Sequence, residues 1–159
     1  NGQTQTIPAI LDPLYVISPQ REHGTEHPGN TPPLVRLDPS GASVQGPHGI
    51  RISKTAEVSR PLALDVWVSD DGLPPGPLAS RRDPQGFGLA WQVYRGSGAV
   101  TFGNEMPQLE QGKASTTVTF SEPGHYRLHV LAIDSRSANR CCWTNGYVDV
   151  TVTGGAVGR

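Results

Sequence analysis

The sequence predicts an all-β protein built as an antiparallel β-sandwich, preceded by an extended proline-rich arm. Three observations lead to this prediction. Apolar and polar side chains alternate along several short stretches, which is the two-residue period of half-buried strands. Turn-forming clusters of glycine, proline and serine separate these stretches. No segment offers a run of good helix formers long enough for a stable helix.

The bulk composition fits one folded domain of ordinary size. The chain has 159 residues, of which 35% are hydrophobic and 17% are charged. A sandwich needs only about 100 residues, so an arm can be accommodated as well. The 19 glycines and 15 prolines indicate many turns, but their share stays below the roughly 25–30% that is typical of disordered chains. We therefore expect a single core.

The large side chains indicate where that core lies. Only one aromatic residue precedes position 67, and the other nine fall between positions 67 and 147. Residues 1–33 contain six prolines and show no lasting period, so they are predicted to form an arm or linker that contributes little to core stability. Its pieces "TIPAIL" and "LYVIS" can dock on the core or on another subunit. The sandwich is predicted at 34–153 and a glycine-rich tail at 154–159.

Seven or eight short strands follow from the alternation. Leu62, Leu64, Val66 and Val68 share one face of the strand in "PLALDVWVSDDG". Trp91 is expected to lie buried between two sheets. The stretches that carry the pattern, in chain order, are "LVRL", "GIRIS", "PLALDVWVSDDG", "GLAWQVYRG", "AVTF", "STTVTF", "HYRLHVLAID" and "YVDVTVT". Strands of this length with turns between them predict an antiparallel sandwich, and parallel α/β folds are excluded because no crossover helices are available.

Longer stretches of the sequence resemble a known family. They are "VSDDG" at a strand end, "LAWQVYRGSGAVTF", "TVTFSEPGHYRLHVLAIDS", the terminal "GYVDVTVT" and the lead-in "NTPPLVRL". The chain in this part resembles the PKD and REJ-type immunoglobulin-like domains of bacterial secreted and surface proteins. The resemblance covers about three quarters of the chain. It implies an immunoglobulin-like sandwich, and such domains serve as spacers, adhesion units or accessory modules.

Tyr126 stands at a strand start after "SEPGH", as in a tyrosine corner, where the phenol hydroxyl bonds to upstream backbone. The alternative is an ordinary core aromatic.

No motif predicts catalysis, so the chain is not expected to be an enzyme. None of the five histidines stands in a catalytic pattern with serine, cysteine or a carboxylate. His125 and His129 flank Arg127 on the predicted solvent side of a strand, which indicates a hydrated polar face. His23 and His27 have the i, i+4 spacing of a metal pair on a helix, but Gly24 and Pro28 oppose a helix there and favour a polar linker.

Aspartates cluster at two predicted strand ends, with Asp70 and Asp71 after one strand and Asp134 after another. Carboxylates of this kind can bind Ca²⁺, which takes several oxygen ligands. Aspartates also favour turns, because the side chain bonds the local backbone. Turn formation is the favoured interpretation, with calcium as the alternative cofactor.

Cys141 and Cys142 are the two cysteines and are adjacent. Neighbouring Cα atoms are about 3.8 Å apart, below the usual disulfide range of about 4.4–6.8 Å, so a bond between them would be strained. Outside the cell exposed thiols are nevertheless oxidised, and a vicinal disulfide is therefore predicted. Two reduced thiols and pairing to another chain are the alternatives.

The predicted ligand site lies on two loops at one end of the sandwich. In immunoglobulin-like domains the loop after the second strand and the loop before the last strand share an end. Here these are Asp70 to Gly88 and Asp134 to Gly146. The candidate ligand-binding residues on them are Trp143, Asn145, Arg81 and Arg82. Trp143 either stacks on a ligand or folds inward over the open end of the core.

The function expected from these observations is a non-catalytic extracellular binding or accessory module for a polysaccharide or a protein. The alternative is a structural spacer or assembly subunit of a larger surface complex. The net charge of −1 and scattered basic residues argue against nucleic acid as a partner. No apolar run approaches a membrane span, and the first residues lack a signal-peptide pattern, so a mature form or fragment in the secreted, periplasmic or surface compartment is expected.

Overall fold

The computed structural model describes residues 31–70, 88–133 and 143–154. These ranges contain no helix, in agreement with the sequence, and nine β-strands, one more than the eight predicted stretches because the two-residue β2 was not predicted. The strands are β1 (Leu34–Arg36), β2 (Val44–Gln45), β3 (Ile50–Glu57), β4 (Leu62–Ser69), β5 (Gly88–Arg95), β6 (Val100–Phe102), β7 (Lys113–Phe120), β8 (Gly124–Ile133) and β9 (Trp143–Thr153). It follows that these ranges hold no helix that could cross a membrane.

Only residues 31–33 of the predicted proline-rich arm and residue 154 of the predicted glycine-rich tail are described, and Pro32 and Pro33 are buried. Both stay predictions. The pair His23 and His27 belongs to the undescribed part of the arm.

The strands form two sheets. One has five strands in the order β2-β1-β4-β7-β6, and the other has four in the order β3-β9-β8-β5. All pairs are antiparallel except β3 with β9, which run parallel from Ile50 and Gly146 to Glu57 and Thr153. The chain leaves the first sheet after β2 and joins the second one as β3, the partner of β9.

This strand order is that of an immunoglobulin constant-type domain. There, the first, second, fifth and fourth strands form one sheet and the third, sixth and seventh form the other. With β2 and β3 set aside, the protein has β1-β4-β7-β6 in one sheet and β5-β8-β9 in the other. The predicted immunoglobulin-like sandwich is therefore confirmed by topology.

The core lies between the two sheets, as the alternation predicts. Trp91 is 2% exposed and contacts Phe102 of the other sheet, with ring centroids 6.5 Å apart. Phe120 and Tyr126 form a second contact across the sheets at 4.7 Å. The fully buried side chains include the inward members of β4, β7, β8 and β9, namely Leu64, Val66, Val118, Phe120, Leu128, Val130, Val148 and Val150. Burial of these apolar side chains is the main force that holds the sheets together.

The tyrosine corner predicted at Tyr126 is confirmed. Its hydroxyl donates a hydrogen bond to the carbonyl oxygen of Glu122, at 2.9 Å. The ring lies against Gly96 and Gly98, where an added Cβ would collide with it. The chain around "RGSG" therefore contains glycine because the tyrosine ring occupies the space of a side chain.

The start of β9 is joined to the start of β1 at one end of the sandwich. The buried hydroxyl of Thr144 donates to the carbonyl of Pro33 and accepts from the backbone N–H of Gly46. At this same end Ser69 of β4 pairs with Leu34 of β1, and Ile133 of β8 pairs with both Gly88 and Trp143. The segments 71–87 and 134–142 thus both leave and re-enter the described fold at one end.

Candidate functional site

The structure describes three of the residues predicted to bind a ligand or a metal. Trp143 and Asn145 lie in β9, and Asp70 is exposed directly after β4. The predictions for the remaining residues fall outside the described ranges; these residues are Arg81, Arg82, Cys141, Cys142, Asp71 and Asp134. The vicinal disulfide and the calcium site accordingly stay predictions. Within the described ranges no group of three or more metal-ligating side chains occurs.

Trp143 does not point into the core. Along β9 the buried positions are Thr144, Gly146, Val148, Val150 and Val152. Trp143 and Asn145 have the opposite parity and are half-buried on the solvent side of the sheet. β9 begins at Trp143, within the loop that the sequence predicts up to Gly146. Both residues are therefore held by β-sheet hydrogen bonding rather than by a loop.

We call the solvent side of the four-stranded sheet the outer face. Cross-strand pairing arranges it in rows, beginning with Gly88, Ile133 and Trp143 at the end described above. Further rows follow toward the opposite end of the sheet, and each contains one residue from every strand that reaches it. The next three are Ala90–Leu131–Asn145, Gln92–His129–Tyr147–Arg51 and Arg95–Arg127–Asp149–Ser53.

A hydrogen-bonded chain of three polar side chains occupies the middle of the outer face. The Asn145 amide donates to the carbonyl of Pro47 at 2.8 Å, which leaves its oxygen to accept from Nε2 of His129 at 2.9 Å. The Gln92 amide then donates to Nδ1 of the same ring, at 2.7 Å. One tautomer of His129 satisfies both of its hydrogen bonds, which hold the three side chains in place.

The prediction that His129 belongs to a hydrated polar face is wrong. Its side chain is only 8% exposed, whereas His125 is exposed as predicted. The Tyr147 ring stacks on the imidazole, with centroids 5.1 Å apart, and the Tyr94 ring approaches both of them edge-on at 6.4 and 5.7 Å. The two tyrosines exclude water from His129 because the register places all three rings together. Tyr94 itself is 55% exposed.

An ion-pair cluster adjoins the rings. Arg127 donates to both carboxylate oxygens of Asp149, at 2.6 and 3.1 Å, and Arg51 approaches the same carboxylate at 3.8 Å. Hydrogen bonds from Arg127, together with attraction to both arginines, hold the pKa of Asp149 below its ordinary value despite partial desolvation. The same hydrogen bonds raise the pKa of Arg127.

A β-bulge in β5 shapes the edge of the outer face. The register shifts between Val93 and Arg95, so that Tyr94 and Arg95 together lie opposite Arg127. The alternation along β5 predicts that Val93 faces inward with Trp91. It ends at the bulge, and Val93 is 42% exposed. Bulges are common next to functional sites because they redirect side chains.

Both edges of the four-stranded sheet are protected against pairing with another strand. On β3 the charged Lys54 lies on the same side as Ile52 and Ala56, which pack against the core. An inward-pointing charge of this kind opposes edge-to-edge association. On β5 the N–H of Trp91 already donates to the carbonyl of Glu105, at 2.7 Å, next to the bulge.

The solvent side of the five-stranded sheet, the opposite face, also bears an aromatic residue. Arg36 and Lys113 lie over the Trp67 ring, 5.6 and 5.3 Å from its centroid, and Lys113 pairs with Asp65 at 3.1 Å. These cations cover the indole from both neighbouring strands. The outer face therefore offers the more accessible ring, that of Tyr94.

Comparisons with known proteins give distant structural likenesses only. No protein-family model matches the sequence, and no curated protein matches it. Domains 4 and 5 of the S-layer protein SbsC are similar at 11% identity and a TM-score of 0.42, covering 76% of this chain and 52% of that one. The fibronectin(III)-like modules of Clostridium thermocellum CbhA are similar at 12% identity and a TM-score of 0.40, with 81% and 50% covered.

A PKD domain of human KIAA0319 is similar at 14% identity and a TM-score of 0.34, covering 70% of this chain and 88% of that one. The chain spans about half the length of the SbsC and CbhA structures. The protein thus has a distant likeness to immunoglobulin-like sandwich modules. Its fold is established by the strand order described above.

Sequence reasoning missed most of the outer face. The alternation places His125, Arg127 and His129 on the solvent side of β8, and Tyr147 and Asp149 on that of β9. The alternation does not give the register between strands, which places His129 opposite both Gln92 and Tyr147. The available signal was the presence of Tyr94 and Tyr147 at solvent positions of β5 and β9, the two strands that flank β8.

Proposed function

We propose that this protein is a non-catalytic binding module that acts outside the cytoplasm and contacts a polysaccharide or protein partner through the outer face. The observation that carries the proposal is the cluster of Tyr94, His129 and Tyr147 on the solvent side of a sheet. A solvent-exposed sheet face needs no buried histidine or stacked rings to be stable, and polar residues would be sufficient there.

The cluster has the properties of a preformed binding surface. Its polar members are fixed by the hydrogen bonds from Gln92 to His129 and from His129 to Asn145. Tyr94 presents an exposed ring beside this rigid base. A surface whose side chains are ordered before the partner arrives loses less entropy on binding. Tyrosine also provides a large contact area with few rotatable bonds.

The contacts of His129 support a non-catalytic role. Both ring nitrogens are engaged by carboxamide side chains, and neither faces a serine, a cysteine or a carboxylate. A general base must be within hydrogen-bonding reach of the proton that it removes. With its nitrogens taken and its ring covered by two tyrosines, this histidine is a structural support for the surface.

Trp143 and Asn145 belong to the same surface in this proposal. They lie at the end of the outer face where segments 71–87 and 134–142 meet the fold. Arg81, Arg82 and the cysteine pair are in these segments and are proposed to extend the surface. The partner thus covers the face of the sheet from Tyr94 toward Trp143.

A binding screen with matched aromatic variants tests the proposal. Wild type, Tyr94→Ala and Trp67→Ala are each screened against an array of defined glycans and against purified extracellular proteins. Tyr94→Ala is expected to weaken the selected interaction by at least about fivefold, as for an aromatic anchor. Trp67→Ala, an aromatic change on the opposite face, should bind like wild type. Binding that survives Tyr94→Ala, or the absence of any partner, would favour the structural-spacer function.

A further inference from the structure

On the outer face an exposed arginine, Arg95, lies opposite an arginine that already has a carboxylate partner. Arg95 and Arg127 lie opposite each other in the β5–β8 register, an arrangement that destabilises a sheet. The neighbouring carboxylate, Asp149, is already bonded by Arg127 and approached by Arg51. No carboxylate in the described ranges forms an ion pair with Arg95. This row of the sheet therefore has an excess of positive charge.

The bulge brings that charge beside the exposed ring. Because β5 shifts register after Val93, Tyr94 and Arg95 both lie opposite Arg127. The Tyr94 ring is more than half exposed and packs edge-on against Tyr147. An aromatic ring and a cluster of guanidinium groups are thereby presented on a single patch.

We propose that the partner is an acidic polysaccharide, with a uronate carboxylate bound between Arg95 and Arg127 and its sugar ring packed on Tyr94. This inference rests on the proposed function and adds the chemical class of the ligand. The carboxylate would accept one charge-assisted hydrogen bond from each of the two arginines.

The geometry of the Arg127 guanidinium allows it to bind such an anion. It uses Nε and one Nη to bind Asp149, at 2.6 and 3.1 Å, which fixes the plane of the guanidinium group. A guanidinium has five N–H donors, so others remain for a second anion. Asp149 therefore orients Arg127, and the exposed Arg95 supplies the second cation.

The protected edges of the sheet favour a polysaccharide over an acidic peptide, and the spread of arginines over the face favours a polymer over a single acid group. Extended peptides gain affinity on sheets chiefly by adding a strand to an open edge, and both edges here are protected, by Lys54 on β3 and by the bulge and Glu105 on β5. In addition, Arg51 lies on β3, three strands from Arg95, or about 14 Å at ordinary strand spacing. A polymer with repeated acid groups can reach both arginines across the face.

The test compares two polymers that share a backbone and differ in charge. Binding of the full chain to polygalacturonate and to fully methyl-esterified polygalacturonate is measured by affinity electrophoresis and calorimetry. Wild type is expected to bind the acidic polymer at least about tenfold more tightly, with an affinity that falls as salt rises. Arg95→Gln should remove most of this preference. Arg60→Gln, which removes an exposed arginine from the turn after β3, should retain it.

The outcomes separate this inference from the proposed function. Equal binding of both polymers, lost in Tyr94→Ala but unchanged in Arg95→Gln, would overturn the acidic ligand and leave the outer-face module intact. Binding of neither polymer would overturn the inference, and the broader screen would then decide the function. Arg95-dependent binding of poly-L-glutamate that is as tight as that of polygalacturonate would overturn the choice of a glycan. A retained fold in Arg95→Gln is verified by its unfolding midpoint.

Discussion

The imidazole of His129 and the phenol ring of Tyr147 stack on the outer face, with centroids 5.1 Å apart and planes inclined by 25°. The two residues are direct cross-strand partners on β8 and β9. Their contact helps to bury an imidazole at a solvent position of the sheet. Because Gln92 and Asn145 also depend on His129 for their hydrogen bonds, this ring is the structural centre of the proposed binding surface.

Replacing His129 by leucine should destabilise the protein. The apolar side chain keeps the volume but leaves the carboxamides of Gln92 and Asn145 without their partner, at a cost of about 1–3 kcal/mol. His125→Leu, on the same strand and exposed, should change the free energy of unfolding by no more than about 0.5 kcal/mol. Urea denaturation of both variants measures the difference. Equal effects would show that the hydrogen-bonded chain contributes nothing to stability.

The tyrosine corner makes two separable contributions. Tyr126→Phe removes the hydrogen bond to Glu122 and is expected to cost about 1 kcal/mol. Gly96→Ala places a methyl group against the Tyr126 ring and should cost about 1–3 kcal/mol through overpacking. Gly154→Ala, which meets no atom within 4 Å, is the matched control. A Gly96→Ala variant as stable as this control would contradict the described packing.

The loss of unfolding free energy at acid pH should depend in part on Asp149. Its pKa in the folded protein lies below the ordinary value of 3.8, because Arg127 donates two hydrogen bonds to the carboxylate. The stabilisation is therefore complete above about pH 4 and is lost as the pH falls through the lowered pKa. In Asp149→Asn this part of the acid-dependent loss should be absent. If the variant shows the same slope of unfolding free energy against pH as wild type, Asp149 does not contribute to the acid-dependent loss of stability.

Lys54 is predicted to keep the β3 edge from pairing with other chains. Lys54→Val completes an apolar row with Ile52 and Ala56 on an open edge strand, which favours edge-to-edge association. Sedimentation velocity should show a mass that rises with concentration more than in wild type. Lys54→Arg retains the charge and should sediment like wild type. Identical behaviour of all three proteins would mean that the edge is protected in another way.

Much of the fold follows from local sequence pattern. The two-residue alternation identifies the inward sides of β4, β7, β8 and β9, because one face of each strand is buried over its whole length. The tyrosine corner is also local, since donor and acceptor are four residues apart. The parallel pairing of β3 with β9 is different. It joins segments that are far apart in the chain, and no local pattern specifies the direction of such a pair.

The outer face is likewise predictable from local sequence pattern only in part. Alternation assigns Trp143 and Tyr147 to the solvent side of β9, but it cannot place Tyr94 over His129. That contact depends on the bulge after Val93 and on the register of three strands. Arg95 likewise gains its significance only from its position opposite Arg127. Sequence therefore predicts which residues face solvent, whereas the three-dimensional register determines which of them form a surface.

The most direct measurement of the central claim is a map of the binding surface by NMR. Amide chemical shifts of the ¹⁵N-labelled protein are recorded as a galacturonate oligosaccharide is added to saturation. The largest changes should fall on β5, β8 and β9 around Tyr94, Arg127 and Tyr147. Changes concentrated around Trp67 on the opposite face, or no changes at saturating oligosaccharide, would contradict the account of the outer face as the binding surface for acidic polysaccharide.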